Sequence, residues 1–298
     1  MVDLGLGTVQ FGLPYGISNR NGQCSPEDVR AILDLAMKQG IDLIDTAASY
    51  GDSEALIGQC LATEDQTRIV TKTPPFAGID SKNDAVTLLE NTFKRSLDRL
   101  GRSKIYGLLL HSCQDALEEK GDCLIAAMAG LREAGLVERI GVSVYDAAQI
   151  DQVMDRFKID IIQVPFNVFD QRLQQSGHLQ SLKDAKIVIQ ARSVFLQGLV
   201  LMDPSEIPPY FDLVRPLLRQ FHRDVAEAGL TAVSAALNFV QRNRYVDQVL
   251  VGVTSVDELA EITTSWFDQD RHNIDYSAYA VFDERILNPA LWPSDVMH

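Results

Sequence analysis

The feature that most constrains this chain is a rhythm. Short apolar runs recur along its whole length, and each is followed by a stretch with helical spacing. The runs that read as strands are Leu4–Thr8, Asp42–Thr46, Arg68–Lys72, Ile105–His111, Arg139–Ser143, Ile161–Val164, Ile187–Ala191 and Gln248–Gly252. Most are continuously apolar, not alternating, which suits parallel strands covered on both faces. The intervening segments carry helix signals. Ser25-Pro26-Glu27-Asp28 supplies an N-cap, a first-turn proline and acidic residues, and Val29, Ile32, Leu33, Ala36 and Met37 follow helical spacing up to Gly40. Ser81–Leu100, Asp122–Ala134, Asp146–Phe157, Gln171–Asp184, Pro209–Gly229 and Thr231–Arg242 read as further helices. Ser255-Val256-Asp257-Glu258 opens the last with a capping-box pattern. Eight such units predict a (β/α)8 TIM barrel. A doubly wound open sheet would show a third glycine and a helix after Gly5-Leu6-Gly7, and Thr8-Val9-Gln10-Phe11 supplies neither. No linker or composition break divides residues 1–298, so one domain is expected.

Composition narrows the function classes. The 298 residues are 46% hydrophobic, enough for a large core. A net charge of −14 argues against nucleic acid and against anionic lipid. No apolar stretch is long enough to span a membrane. Met-Val-Asp-Leu-Gly does not read as a secretory signal. Cys24, Cys60, Cys113 and Cys123 form no Cys-x-x-Cys pair and read as reduced thiols, so a cytoplasmic protein is expected.

In a barrel of this class the chemistry sits at the carboxyl ends of the strands. Asp45 ends the second strand, Lys72 the third and His111 the fourth, and Tyr50 lies five residues past Asp45. Singly, each has an ordinary explanation: a helix cap, a solvated strand end, a structural histidine, a packed ring. Together they suit carbonyl reduction, which needs a hydride at carbon and a proton at oxygen. A phenol can give that proton, but its usual pKa of about 10 is high for work near neutrality. A lysine cation about 4 Å away would favour phenolate by about 4 kcal/mol at an effective dielectric of about 20. Tyr50 is therefore expected as proton donor, Lys72 as the group lowering its pKa, Asp45 as the brace holding Lys72 charged, and His111 as the group orienting the carbonyl oxygen. No metal is expected.

These residues, with Leu4-Gly5-Leu6-Gly7-Thr8, Asp45-Thr46-Ala47-Ala48-Ser49-Tyr50-Gly51-Asp52-Ser53-Glu54, Thr71-Lys72, Leu110-His111, Gly141-Val142-Ser143, Gln163-Val164-Pro165-Phe166-Asn167 and Ser193–Leu199, resemble the aldo-keto reductase superfamily nearly end to end. The resemblance implies NAD(P)H across the barrel mouth, reducing a small-molecule carbonyl. It implies that Ser143 and Gln163 hold the nicotinamide carboxamide, with Thr8, Gln10 and Asp45 lining that end. Ser193, Phe195, Gln197 and Gly198 would follow the pyrophosphate, and Gly252, Thr254, Ser255 and Glu258 the adenosine, beside a helix N-terminus suited to phosphate. Three departures stand out. Val144 replaces a frequent asparagine. Arg192 stands where many members stack an aromatic ring on the nicotinamide, and a planar guanidinium can also stack. At the adenosine end, Gly252, Glu258 and Ile262 fill positions where NADPH-preferring members carry Lys, Arg and Asn, which points to use of NADH. The segment Leu6–Ile17 resembles bacterial members linked with sugar metabolism, and so points to a polar, sugar-type carbonyl.

Two other function classes stay open: a cofactor-sensing regulator on the same fold, as the potassium-channel β subunits of the superfamily show, and a phosphate-ligand lyase or isomerase barrel. Aromatic candidates for the substrate pocket are Phe11, Tyr15, Phe76, Phe166, Phe169, Trp266 and Trp292. The tail from Phe282 to His298, with Arg285, Asn288, Trp292 and Pro293, folds over the mouth or packs on the barrel's side.

Overall fold

A computed structural model describes residues 2–61, 66–268 and 274–296. Eight parallel strands close into a barrel in sequence order: β1 (Asp3–Gly7), β2 (Leu43–Asp45), β3 (Arg68–Lys72), β4 (Ile105–Leu110), β5 (Val137–Ser143), β6 (Ile161–Pro165), β7 (Val188–Arg192) and β8 (Gln248–Gly252). The barrel closes where Leu6 pairs with Val251 and Gly7 with Gly252. The expected TIM barrel is thus the observed one. The continuous apolar runs are explained by two cores. Leu43, Val70, Leu109, Ile161 and Leu250 fill the barrel interior, while a larger cluster packs strands against helices.

The longer helices are α1 (Pro26–Lys38), α2 (Ser53–Cys60), α3 (Lys82–Leu100), α4 (Gly121–Glu133), α5 (Ala147–Arg156), α6 (His178–Asp184), α7 (Arg215–Glu227), α8 (Ala232–Gln241) and α9 (Val256–Phe267). Ser25 caps α1, with Asp28 returning a bond to the Ser25 N–H. Two expected helices break. Gln171–Asp184 splits into Arg172–Gln175 and α6 because Gly177 takes φ = 80°, a left-handed conformation that ends one helix before the next begins. Pro209–Gly229 opens with a turn at Pro209–Phe211, and α7 starts only at Arg215. The helix α2 was missed, since its eight residues are short and weakly amphipathic. Among the described residues no helix is long and apolar enough to cross a membrane.

What holds α2 is a buried carboxylate. Glu54, 1% exposed, accepts from Thr71 Oγ1 at 2.6 Å and from Arg99 Nε at 2.8 Å, so β3, α2 and α3 meet at one charge. Deleting the cation strands a carboxylate in a dry site. Arg99→Met is therefore expected to destabilise the fold by about 3 kcal/mol, the low end for a broken buried pair because Arg99 is partly exposed. Urea denaturation checks it, and Arg99→Met/Glu54→Met should recover much of the loss.

Candidate active site

Strand closure brings the four candidate residues to one corner of the barrel mouth. Asp45 and Lys72 end β2 and β3, and His111 follows β4 directly. Lys72 is 1% exposed; its Nζ lies 2.7 Å from Asp45 Oδ2 and donates to Thr46 O at 3.0 Å. Asp45 Oδ1 accepts from Gln163 Nε2 at 2.8 Å, so both carboxylate oxygens are engaged. The half-buried Tyr50 ring lies over the ammonium, 5.1 Å from Nζ to ring centroid, and meets the His111 ring edge-on at 5.6 Å. Ser49 Oγ lies 3.1 Å from His111 Nδ1. Either atom can donate in that contact, and the tautomer with the ring proton on Nε2 is the one in which Ser49 donates.

Tyr50 is carried by backbone contact. A Cβ on Gly12 would sit 1.8 Å from Tyr50 O, and one on Gly51 (φ = 51°) would sit 2.5 Å from Gly12 O. Only glycine at both positions lets the β1 and β2 loops touch and fixes where the phenol points.

The electrostatics differ from the sequence expectation. Burial first, and the Asp45 charge second, push the Tyr50 phenol above its ordinary value, with Arg192 opposing. Lys72 does not bring it to neutrality, because its charge is matched by Asp45 at 2.7 Å. Burial also pulls the Lys72 ammonium below its ordinary value, with Asp45 opposing. Burial, then the Lys72 and Arg192 charges, push His111 down to about 3. The corner thus holds a protonated phenol beside a neutral imidazole.

The corner opens into a cavity of about 940 Å3. Thr8, Gln10, Asp45, Tyr50, His111, Ser143, Gln163, Arg192, Ser193, Phe195, Gln197, Gly198, Gly252, Thr254 and Glu258 all line it. Lys72 lies behind the wall. Ser255 does not reach the cavity: its hydroxyl caps α9 by accepting from Glu258 N at 3.2 Å. The expected reciprocal box is absent, since Glu258 accepts instead from the Thr254 N–H at 2.6 Å. Thr8 borders the cavity, but its hydroxyl is tied to Asp45 O and Ser53. Arg192 stacks on Tyr145 at 4.4 Å. Of the aromatic candidates, Tyr15 alone lines the cavity; Phe11, Phe76, Phe166, Phe169, Trp266 and Trp292 are core. In the tail, Pro289 and Ala290 reach the cavity, while Trp292 packs edge-on against Phe211. Met297 and His298 lie outside the described residues.

Comparison with known proteins agrees with this geometry. The family model described as the Aldo/keto reductase family matches residues 3–276. The chain belongs to that family. The aldo-keto reductase YhdN of Bacillus subtilis is 31% identical over 211 residues, covering 66% of this chain and 59% of that protein. The NADH-specific methylglyoxal reductase of Escherichia coli is 27% identical over 215 residues, covering 66% and 64%. These two matches span about three fifths of each relative's own length. Among solved structures, the holo aldo-keto reductase AKR11C1 of Bacillus halodurans superposes with a TM-score of 0.73 at 18% identity, over 98% of this chain and 94% of that one.

In this aldo/keto reductase the sequence reading missed three side chains that build the site: Ser49, Tyr145 and Gln190. Gln190 Oε1 accepts from Gln163 Nε2 at 3.2 Å, and Gln190 Nε2 donates to Gln248 Oε1 at 2.8 Å. Gln248 in turn donates to Tyr106 OH at 3.3 Å. Each is an ordinary polar residue in sequence; only barrel closure makes a chain of them. Because both Asp45 and Gln190 accept from Gln163 Nε2, its carbonyl oxygen is turned toward the cavity.

Because His111 stays neutral to about pH 3, kcat/KM should show no acid limb near pH 6.5. Its folded pKa lies below the unfolded value of about 6.5, so falling pH protonates the unfolded chain first and stability declines from about pH 6.5 toward 3. Melting at pH 7.5 and 5.0 should show a smaller pH dependence in His111→Gln than in the wild type. A titration at pH 6 to 7 in the rate profile, abolished by that substitution, would contradict the assignment.

Proposed function

We propose that this protein reduces a small aldehyde or ketone to an alcohol with a nicotinamide cofactor, taking the proton from Tyr50. The observation that carries the reading is the corner itself: a protonated phenol and a neutral imidazole 5.6 Å apart, over a buried ammonium-carboxylate pair, at the edge of a large cavity. A carbonyl oxygen set between Tyr50 and His111 Nε2 would accept two hydrogen bonds. As hydride reaches the carbon, the oxygen becomes far more basic than a phenolate, so Tyr50 gives up its proton despite its raised pKa. The phenolate left behind faces the Lys72 ammonium.

The residues present fit a nicotinamide cofactor. Gln10 Oε1 is buried in the cavity wall without a hydrogen-bond partner, and a Cβ on Gly252 would fill the space beside it. The outward-turned Gln163 carbonyl and the Ser143 hydroxyl offer an acceptor and a donor for a carboxamide. Bound there, the cofactor supplies the hydride. Ser193, Leu196 and Gln197 hold positive φ in the loop after β7, backbone strain of the kind found where a loop grips a ligand.

NADH is the better fit at the adenosine end. Glu258 faces the cavity through its bond to Thr254, where its charge would repel a 2′-phosphate and its oxygens can accept from a ribose diol. The cation at that rim, Arg20, is paired with Glu206. The Escherichia coli relative, named as NADH-specific, points the same way. A polar, sugar-type carbonyl would find hydroxyl and amide partners among the residues lining the cavity, and the relatives include an L-galactose dehydrogenase of Arabidopsis thaliana, 24% identical over 290 residues. The four thiols are free, as suits the reducing cytoplasm.

Tyr50→Phe is expected to lower kcat at least about 100-fold, the lower range for loss of a general acid, with NADH affinity nearly unchanged. Steady-state rates and fluorescence titration check both halves; near-normal turnover would refute the proton-donor role. Wild-type kcat/KM should be at least about tenfold higher with NADH than with NADPH, which a side-by-side assay decides.

A further inference from the structure

Reduced nicotinamide is a neutral ring, and oxidised nicotinamide is a pyridinium cation. The two forms differ by one positive charge and little in shape, so a fixed charge beside the ring separates them. Arg192 supplies such a charge. Residues two apart on a strand face the same side. Gln190 points into the barrel, where it bonds Gln163 and Gln248, so Arg192 also points inward, one layer above. It pairs in register with Pro165, two residues beyond Gln163. Its guanidinium crosses that strand end and donates to Val144 O at 3.1 Å, one residue beyond Ser143. Ser143 and Gln163 are the side chains that fit the carboxamide, so the guanidinium lies above the place where that group, and the ring joined to it, would rest. Tyr145, 4.4 Å from Cζ to ring centroid, and Ser193 Oγ, which accepts at 3.2 Å, hold the cation there.

Nothing close by cancels this charge. Among the described residues no carboxylate pairs with Arg192. Lys72 and Asp45, 2.7 Å apart, offset each other. Tyr50 keeps its proton and His111 stays neutral, both mainly through burial, so neither adds a charge near neutral pH. Glu258 and Glu261 line the cavity from α9, at the adenosine end with Thr254. The nicotinamide end is therefore left net positive, in a chain whose overall charge is −14.

We propose that Arg192 makes this site select its cofactor by redox state, binding NADH in preference to NAD+. This rests on the nicotinamide-dependent reading above and deepens it. The guanidinium repels a pyridinium cation and leaves the neutral reduced ring unpenalised. Its planar face can still pack against either ring, so packing alone does not discriminate. A site charged in this way takes up the hydride donor and lets the oxidised product leave. That suits carbonyl reduction over alcohol oxidation.

Equilibrium titration of the full chain with NADH and with NAD+ tests this without turnover. The quantity read is the Kd for NAD+ divided by the Kd for NADH. In the wild type it should be at least about ten, a modest demand on two unit charges this close in a partly screened site. In Arg192→Met, which keeps the length of the side chain and removes its charge, it should fall to about one. In Arg192→Lys, which restores the charge without the planar fork, it should recover to at least about five. A wild-type ratio near one overturns the proposal. So does a ratio unchanged in Arg192→Met, including the case in which both nucleotides weaken together, since a group that only packs or shapes the pocket serves both forms alike. A lysine variant no more selective than the methionine variant also overturns it. Should the methionine variant not fold, the wild-type and lysine ratios decide. A wild type that binds neither nucleotide and reduces neither glyceraldehyde nor methylglyoxal defeats the reductase reading itself, and the proposal with it.

Discussion

The site depends on one buried ion pair. Lys72 and Asp45 sit at the carboxyl ends of neighbouring strands with almost no access to water. Desolvating two such charges costs several kcal/mol each, and their attraction offsets that only when the remaining hydrogen-bonding sites are filled. Here they are filled by Thr46 O on one side and Gln163 Nε2 on the other. Everything nearby follows. Tyr50 packs over the ammonium, His111 packs against Tyr50, and burial, with the Lys72 and Arg192 charges, keeps the imidazole neutral.

The same pair organises the cavity wall. Asp45 holds the Gln163 amide nitrogen, and Gln190, Gln248 and Tyr106 continue that contact across the barrel interior. A buried amide chain of this kind has one satisfied orientation, because flipping Gln163 sets acceptor against acceptor at Asp45, and flipping Gln190 sets donor against donor at Gln163. The barrel therefore delivers an acceptor to the cavity at a defined place. Closure of the sheet is what makes this available, since Gln190 and Gln248 come from strands 58 residues apart.

Much of this was legible in the chain. Eight apolar runs at nearly their observed positions gave the barrel, because strands covered on both faces leave a continuous apolar signature. Asp45, Lys72 and His111 stand out in the chain because they are titratable residues at the ends of those runs. Ser49, Tyr145 and Gln190 were not, since nothing local separates a useful serine, tyrosine or glutamine from a solvated one. The helix breaks at Gly177 and before Arg215 were missed for a related reason: helical spacing persists across a turn that tertiary packing imposes. The aromatic candidates were misjudged because pocket and core draw on the same residues.

By itself the sequence determined the architecture and pointed to the candidate reacting groups, since periodicity and strand-end chemistry are local properties. Tertiary structure decided their electrical state. The sequence suggests that Lys72 draws Tyr50 toward neutrality; the folded site instead keeps the phenol protonated, because Asp45 neutralises the lysine and burial penalises phenolate. Tertiary structure also decided that Arg192 lines the cavity and that no carboxylate among the described residues pairs with it. Both outcomes depend on sums of burial and distance over residues far apart in the chain, and those sums exist only once the barrel has closed.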